Sequence, residues 1–265
     1  MNKNQLKATL ALVILGGGLA AYIYLQQIEP EVAVQAPPPP PPIAAAPKPE
    51  VRQILETPPA AAPLPQLAES DSFVLDALAG LIGNESLMKL FHTERIIRNI
   101  VATIDNLPSM KLPMKLLPVE QASGKFMTAG KDGELSISPK NAARYTPYVK
   151  IAEAIDVKKL VGLYVRLYPL FQQAYVELGY PNSYFNDRLI EVIDDLLEAP
   201  DLTEPVKLLR PKVFYQFADP ELEALSIGQR ILMRIGSKNE ATMKARLLEI
   251  KQELLLHMHD EKIAG

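Results

Sequence analysis

The 265-residue chain has no cysteine, which excludes disulfides, thiolate catalysis and Cys-ligated zinc. Its absence suits an oxidising compartment. Histidine is scarce: the chain holds three, His92, His257 and His259. Residues two apart on a helix point about 200° apart, so His257 and His259 do not face one metal, and no third ligand accompanies them. No serine sits in a Gly-x-Ser-x-Gly elbow. A phosphate-cradling glycine loop is missing as well, because Gly16-Gly17-Gly18 lies inside a long apolar run. Nor is there charge of one sign. The 28 Lys and Arg stand against 31 Asp and Glu, for a net charge of -3, and no concentrated basic face marks a nucleic-acid footprint. No sequence period repeats, which argues against a solenoid.

What is present first is an anchor. Residues 8–25 read ATLALVILGGGLAAYIYL, eighteen residues without a charge, long enough at about 1.5 Å per residue to cross roughly 27 Å of hydrocarbon. Lys3 and Lys7 precede the run, Glu29 and Glu31 follow it, and no cation appears before Lys48. The positive-inside bias therefore puts the N-terminus in the cytoplasm and the rest of the chain in the periplasm. A cleaved signal peptide is the rival reading, with small residues at Gly18-Leu19-Ala20. Against it, the apolar run continues through Tyr22 to Leu25, and its two tyrosines suit an interfacial belt. Small-xxx-small spacings at Gly16/Ala20 and Gly17/Ala21 would let two spans approach, but such spacings are common in Gly-Ala-rich spans.

Residues 29–66 hold thirteen prolines, six of them consecutive from Pro37 to Pro42. Proline fixes φ and removes a donor, so this segment favours extended polyproline II, a stiff spacer reaching on the order of 100 Å. A PxxP ligand is the alternative reading, although its readers are mostly cytosolic.

From residue 67 onward the apolar spacing turns helical. Ser70-Asp71-Ser72 precedes an amphipathic stretch ended by Gly83-Asn84, and Thr93 is placed to cap a helix that carries Ile96, Ile97, Ile100, Val101 and Ile104. The polar face of that helix holds Arg95, Arg98, Asn99 and Asp105. Residues 107–122 have three prolines and no clean period, which predicts an extended packed loop. Residues 125–128 and 134–137 flank a turn containing Asp132-Gly133, a β-hairpin that must lie on the helices or find another strand. Short helical turns open at Pro139 and Pro147. Asp156 caps the long segment that Pro169 should kink without ending and Gly179 stops. Ser183 caps the next helix, residues 202–217 are irregular or short-helical, Asp219-Pro220 opens a helix running to Ile235, and Ser237 starts the last.

The centre of this domain is residues 164–197, where two apolar-periodic segments meet at Gly-Tyr-Pro-Asn-Ser and five of the ten tyrosines gather. The fold class is mainly α: a single-pass N-terminal transmembrane helix (1–28 with its cytoplasmic stub), a Pro-rich linker (29–66) and a multi-helix globular domain (67–265) with one small β-hairpin.

Two long runs, YPLFQQAYVELGYPNSYFNDRLIEVIDDLL from Tyr168 and RPKVFYQFADPELEALSIGQRILMR from Arg210, resemble a bacterial family catalogued as domain of unknown function three-zero-one-four. RIIRNIVATIDNLP from Arg95 fits the same family, and the likeness covers most of residues 70–252. It implies the N-terminal span, the Pro-rich linker and a place in the proteobacterial envelope. It implies no activity.

Candidate chemistry concentrates after Ser183. Asp187, Glu191, Asp194 and Asp195 recur at spacings of three and four and stack into an acidic stripe beside Arg188. Gathered carboxylates suit acid–base cleavage of a glycan, or a hard cation. The plainer reading is a solvated or salt-bridged face with Arg210 or Lys212 as partners. Tyrosines at 145, 148, 164, 168, 175, 180, 184 and 215 suit a groove for peptide or sugar, or, at helical spacing, the core and its rim. The 180–188 turn is the best recognition surface, with Tyr180, Asn182, Tyr184, Asp187, Arg188, Glu191, Arg210 and Lys212 as binding candidates. No cofactor or metal is expected. The expected role is a non-enzymatic binding or scaffold module for an envelope protein or peptidoglycan; the alternatives are a cell-wall enzyme acting on glycan or muropeptide, a ligand-binding protein using the acidic helix face, and ligand sensing or carriage through a helical pocket.

Overall fold

A computed structural model of the chain describes residues 63–131, 133–202, 205–211 and 213–258. The chain divides into two units at Lys48–Pro49, and all described residues belong to the second. The predicted span at 8–25, most of the linker, Asp132 of the turn, Lys212 and His259 lie outside the described residues. Among the described residues no helix is long and apolar enough to cross a membrane.

Among the described residues nine α-helices appear in order: α1 (Asp71–Ile82), α2 (Glu85–Met88), α3 (Ile96–Asn106), α4 (Thr146–Ala154), α5 (Val157–Leu178), α6 (Phe185–Leu197), α7 (Pro220–Glu223), α8 (Ile227–Arg234) and α9 (Ser237–His257). Two short ladders accompany them. β1 (Thr128–Ala129) pairs antiparallel with β2 (Ser136–Ile137), and β3 (Leu208–Leu209) with β4 (Gln216–Phe217). The domain is thus mainly helical with the expected hairpin. Residues 202–217, expected to be irregular or helical, supply the second ladder instead. Leu208 and Phe217 face inward there with Met233, and period-two burial over so few residues leaves almost no signal in the sequence. The two ladders join through a Ser136–Lys207 bridge and the Leu208 N–H donating to the Leu135 carbonyl at 2.7 Å, so the first hairpin does find another strand.

The main core surrounds α5. Val161, Val165, Leu167, Tyr168, Leu170, Phe171, Ala174 and Tyr175 are buried along that 22-residue helix, against Ile96, Ile97 and Val101 of α3, Phe185 and Ile193 of α6, and Leu254 of α9. Pro169 falls on the exposed face, and the helix continues through it as expected. The core begins before residue 67, because Leu64 packs on it and Leu67 is buried. A second cluster joins Val192 and Leu196 of α6 to Leu232 and Ile235. Here α8 comes so close that a Cβ on Gly228 would lie 2.5 Å from Leu196 Cδ2 and 3.2 Å from the Leu107 carbonyl oxygen, so a side chain there would require Leu196 to move.

Several helix ends are capped across the fold rather than locally. Neither Thr93 nor any neighbour caps α3. The Asp71 carboxylate from α1 accepts from the backbone N–H groups of Arg95 (2.7 Å) and Ile96 (2.9 Å), and Arg95 takes a left-handed φ of 53° to allow it. Ser70 instead donates to the Leu67 carbonyl at 3.0 Å. Likewise Ser183 does not cap α6: Gln172 of α5 accepts from the Phe185 N–H at 2.9 Å and donates to the Ser183 carbonyl at 2.8 Å. The helix expected over 220–235 breaks in two, because Ser226 and Gln229 form a reciprocal capping box that starts α8 afresh. Buried Asn141 ties the hairpin to α8, accepting from the Met127 N–H at 3.2 Å and donating to the Arg234 carbonyl at 3.0 Å.

Asp71→Ala is expected to destabilise the domain by about 1 kcal/mol, the usual cost of a lost cap, with Asp71→Asn, which keeps one of the two acceptor oxygens, recovering only part of it in urea unfolding. A second expectation concerns Glu240, 2 % exposed on α9, whose Oε1 has no hydrogen bond and sits 3.6 Å from Lys244 Nζ. Burial raises its carboxyl above the ordinary value, Lys244 opposing and Asp201 reinforcing. A raised folded-state value means that the native protein holds this proton more tightly than the unfolded chain does. The resulting stability is present in acid and is lost as the pH rises through the folded value. Thermal melts should therefore show Glu240→Gln gaining stability relative to the wild type as the pH rises from 4 to 7; parallel profiles would contradict this.

Candidate functional site at the α5–α6 turn

Helix α5 ends on a reciprocal carbonyl cap: Gly179 N–H donates to the Val176 carbonyl (3.1 Å) and Tyr180 N–H to the Tyr175 carbonyl (3.3 Å). Gly179 takes φ 122°, a conformation closed to most side chains. The apolar contact that accompanies such a cap is here an aromatic one, with the rings of Tyr175 and Tyr180 stacked at 4.6 Å. Tyr180 is thereby fixed, half-exposed, over the end of the helix.

The next turn brings α6 back against α3. Arg188 donates from Nε to Asp105 Oδ1 (2.9 Å) and from Nη2 to the Asp105 carbonyl (2.8 Å). Tyr180 donates its hydroxyl to the other carboxylate oxygen of Asp105 at 3.1 Å, and Arg188 Nη1 reaches Glu191 at 3.3 Å. The Asp105 side chain is 10 % exposed and that of Arg188 27 %. The hydrogen bond to Asp105 and its charge hold the Tyr180 hydroxyl above its ordinary value. Burial pulls Arg188 down, but Asp105 and Glu191 outweigh it and the guanidinium stays firmly charged.

These groups wall an open cleft of about 530 Å³. Six of the eight sequence candidates line it: Tyr180, Asn182, Tyr184, Asp187, Arg188 and Glu191. Arg210 is not among the lining residues; its guanidinium lies over the Tyr215 ring at 5.3 Å. Lys212 lies outside the described residues. Asp105, Tyr175 and Ser183 complete the lining; Tyr175 is one of the tyrosines expected in a groove or in the core, whereas the sequence marks neither Asp105 nor Ser183 as a binding candidate. Asp105 is one polar residue among four on its helix face, and nothing local marks it as the partner of a residue 83 positions away.

The acidic stripe does not act as one surface. Asp187 and Glu191 face the cleft, whereas Asp194 pairs with Lys251 of α9 and Asp195 accepts from the Ser226 hydroxyl at 2.7 Å. Among the described residues the partners of the stripe are therefore Arg188, Lys251 and Ser226 rather than the expected Arg210, and the other expected partner, Lys212, lies outside them. Helices 100° apart per residue send Asp194 and Asp195 towards different neighbours once α8 and α9 pack on α6.

Replacing Arg188 with Met leaves the Asp105 carboxylate largely buried with Tyr180 as its remaining side-chain donor. A loss of about 2 kcal/mol is expected in urea unfolding. The same substitution in an Asp105→Asn background should cost markedly less, because the two residues act through one interaction.

A family model described as "Protein of unknown function (DUF3014)" matches residues 96–251, more than half of the chain, and takes in the whole of this site. No curated protein and no solved structure matches. Since the matched region runs from the start of α3 into α9 and covers more than half of the chain, the chain belongs to the DUF3014 family.

Proposed function

We propose that the chain is a non-enzymatic binding or scaffold module, held in the bacterial inner membrane through residues 8–25, with its N-terminus cytoplasmic and its helical domain carried into the periplasm on the proline tether. The uncharged eighteen-residue run, the charge bias around it and the thirteen prolines of 29–66 support that placement. The cleft carries the binding reading. It is open, its walls are pinned by a ring stack and a multiply bonded ion pair, and it carries excess negative charge. Three carboxylates (Asp105, Asp187 and Glu191) stand against one guanidinium (Arg188), so the complementary ligand presents amines or other donors. A basic segment of an envelope protein and the peptide stems of peptidoglycan both have that chemistry.

A cell-wall enzyme is the second reading, favoured by two carboxylates, Asp187 and Glu191, in one cleft. General acid work calls for a carboxyl with a raised pKa, usually shielded from water, and the Glu191 side chain is 66 % exposed and paired with Arg188. Muropeptide digestion by the wild type that Asp187→Asn and Glu191→Gln abolish would establish this second reading over the first.

A photoreactive side chain at position 182 of the full-length protein in intact cells tests the binding reading. An adduct to one envelope protein or to muropeptides is expected, and it should disappear when Asp187 and Glu191 are both changed to Lys. Adducts indifferent to that charge reversal, or protease protection placing the domain on the cytoplasmic side, would overturn the proposal.

A further inference from the structure

The main core does not close around its central helix. Between α1, α3, α5, α6 and α9 a cavity of about 210 Å³ remains. Val74, Val161, Leu167, Phe171, Phe185 and Leu254 form its buried floor. The rest of its lining is half-buried side chains of the same helices, so the cavity reaches the surface on that side. Of all the lining residues, Tyr164 alone has a polar side-chain group, and its hydroxyl is already committed to Asn186.

This lining dictates what can enter. A buried water needs two to four polar partners, and apolar cavities of about 150 Å³ stay dry and admit hydrocarbons. Interiors close-packed at native density rarely leave voids larger than a water molecule, because side chains facing empty space lose their dispersion contacts. The cavity also has a shape. Its α5 wall runs from Leu160 to Phe171 along one stripe of the helix, roughly 16 Å at 1.5 Å per residue. An apolar wall of that length, beside a volume of about 210 Å³ that reaches the surface, suits an extended hydrocarbon chain. We infer that the cavity is a binding site for a single unbranched hydrocarbon chain, the tail of a free fatty acid or of a phospholipid, lying along α5 with its polar end at the half-buried rim. The inference stands on the lining and is independent of the cleft and of the membrane placement.

The test uses the full-length protein reconstituted in phosphatidylcholine vesicles, with dodecanoic acid bearing a terminal diazirine as probe, irradiation, and peptide mapping of the adducts. Adducts on α1, α3 and the lining stripe of α5 are expected, with competition by unlabelled dodecanoic acid. They should be lost in Val161→Phe and in Ile100→Phe, which fill the floor and the rim respectively. A parallel arm with the photoreactive tail carried on phosphatidylcholine separates the two sources of chain: labelling in the first arm alone assigns the site to free acid, and labelling in both to any acyl tail. Adducts at residues 8–25 report the membrane span and stay unchanged in every variant. Labelling confined to 8–25, or domain adducts that competition does not remove, overturns the inference. The competition result decides even if a filling variant fails to fold.

Discussion

Phe185 has to be enclosed, and the arrangement of the domain follows from how that is done. Its ring, 0 % exposed, stacks on Phe171 at 5.7 Å with planes 9° apart, and Tyr175 and Tyr164 close round it at 5.6 and 6.5 Å. Three of these four rings come from α5 and one from the first residue of α6. Burying the fourth forces the chain to reverse within the few residues between Gly179 and Phe185. Aromatic burial of this size outweighs the conformational cost of so tight a return. The reversal leaves the first N–H of α6 without a local cap, and Gln172 supplies the acceptor from the helix that Phe185 packs against. One residue pair thus settles both the apolar and the polar requirement of the turn.

The cleft and the cavity lie on either side of this aromatic cluster. Tyr175 faces the cleft, while Tyr164, Phe171 and Phe185 face the cavity. Their chemistry differs because the two sides of the cluster meet different partners. On one side α3 presents Asp105, which needs donors and obtains them from Tyr180 and Arg188. On the other side α1, α3 and α9 present aliphatic residues, with no polar group to orient. Burial pushes the Tyr164 hydroxyl well above its ordinary value, Tyr168 and Asp187 adding to the effect, so this phenol stays neutral and acts as a fixed donor.

Much of this was legible in the sequence and some of it was not, for physical reasons that particular residues show. The span of α5 from Asp156 to Gly179 and its passage through Pro169 could be read because a long 3.6-residue period outweighs one missing donor. The 180–188 turn could be singled out because aromatic and charged residues crowd a short break between two strong periods. Caps were read as local and several are not: Asp71 serves a helix that begins 25 residues later, and sequence spacing carries no trace of such a pairing. The second ladder was missed because two-residue strands have no periodicity to detect, and the single helix over 220–235 was broken by a capping box whose Ser226 and Gln229 sit inside an otherwise continuous pattern. In the sequence Asp105 is only one member of a polar face, since its importance depends on α6 folding back.

The division of labour among the acidic residues bears most directly on what the cleft can recognise. Asp105 uses both carboxylate oxygens to hold Tyr180 and Arg188, and so builds the wall. Asp194 and Asp195 hold α9 and α8. Glu191 shares Arg188 through a long 3.3 Å contact at a mostly solvated position, which costs little to exchange for another donor. Asp187, in the first turn of α6, gains from the positive end of the helix dipole and remains at the cleft with Glu191. Of five carboxylates around α6, then, three are committed to the fold and two are open to a ligand. The binding reading proposed above therefore rests on Asp187 and Glu191, the two carboxylates of the cleft that the fold does not use.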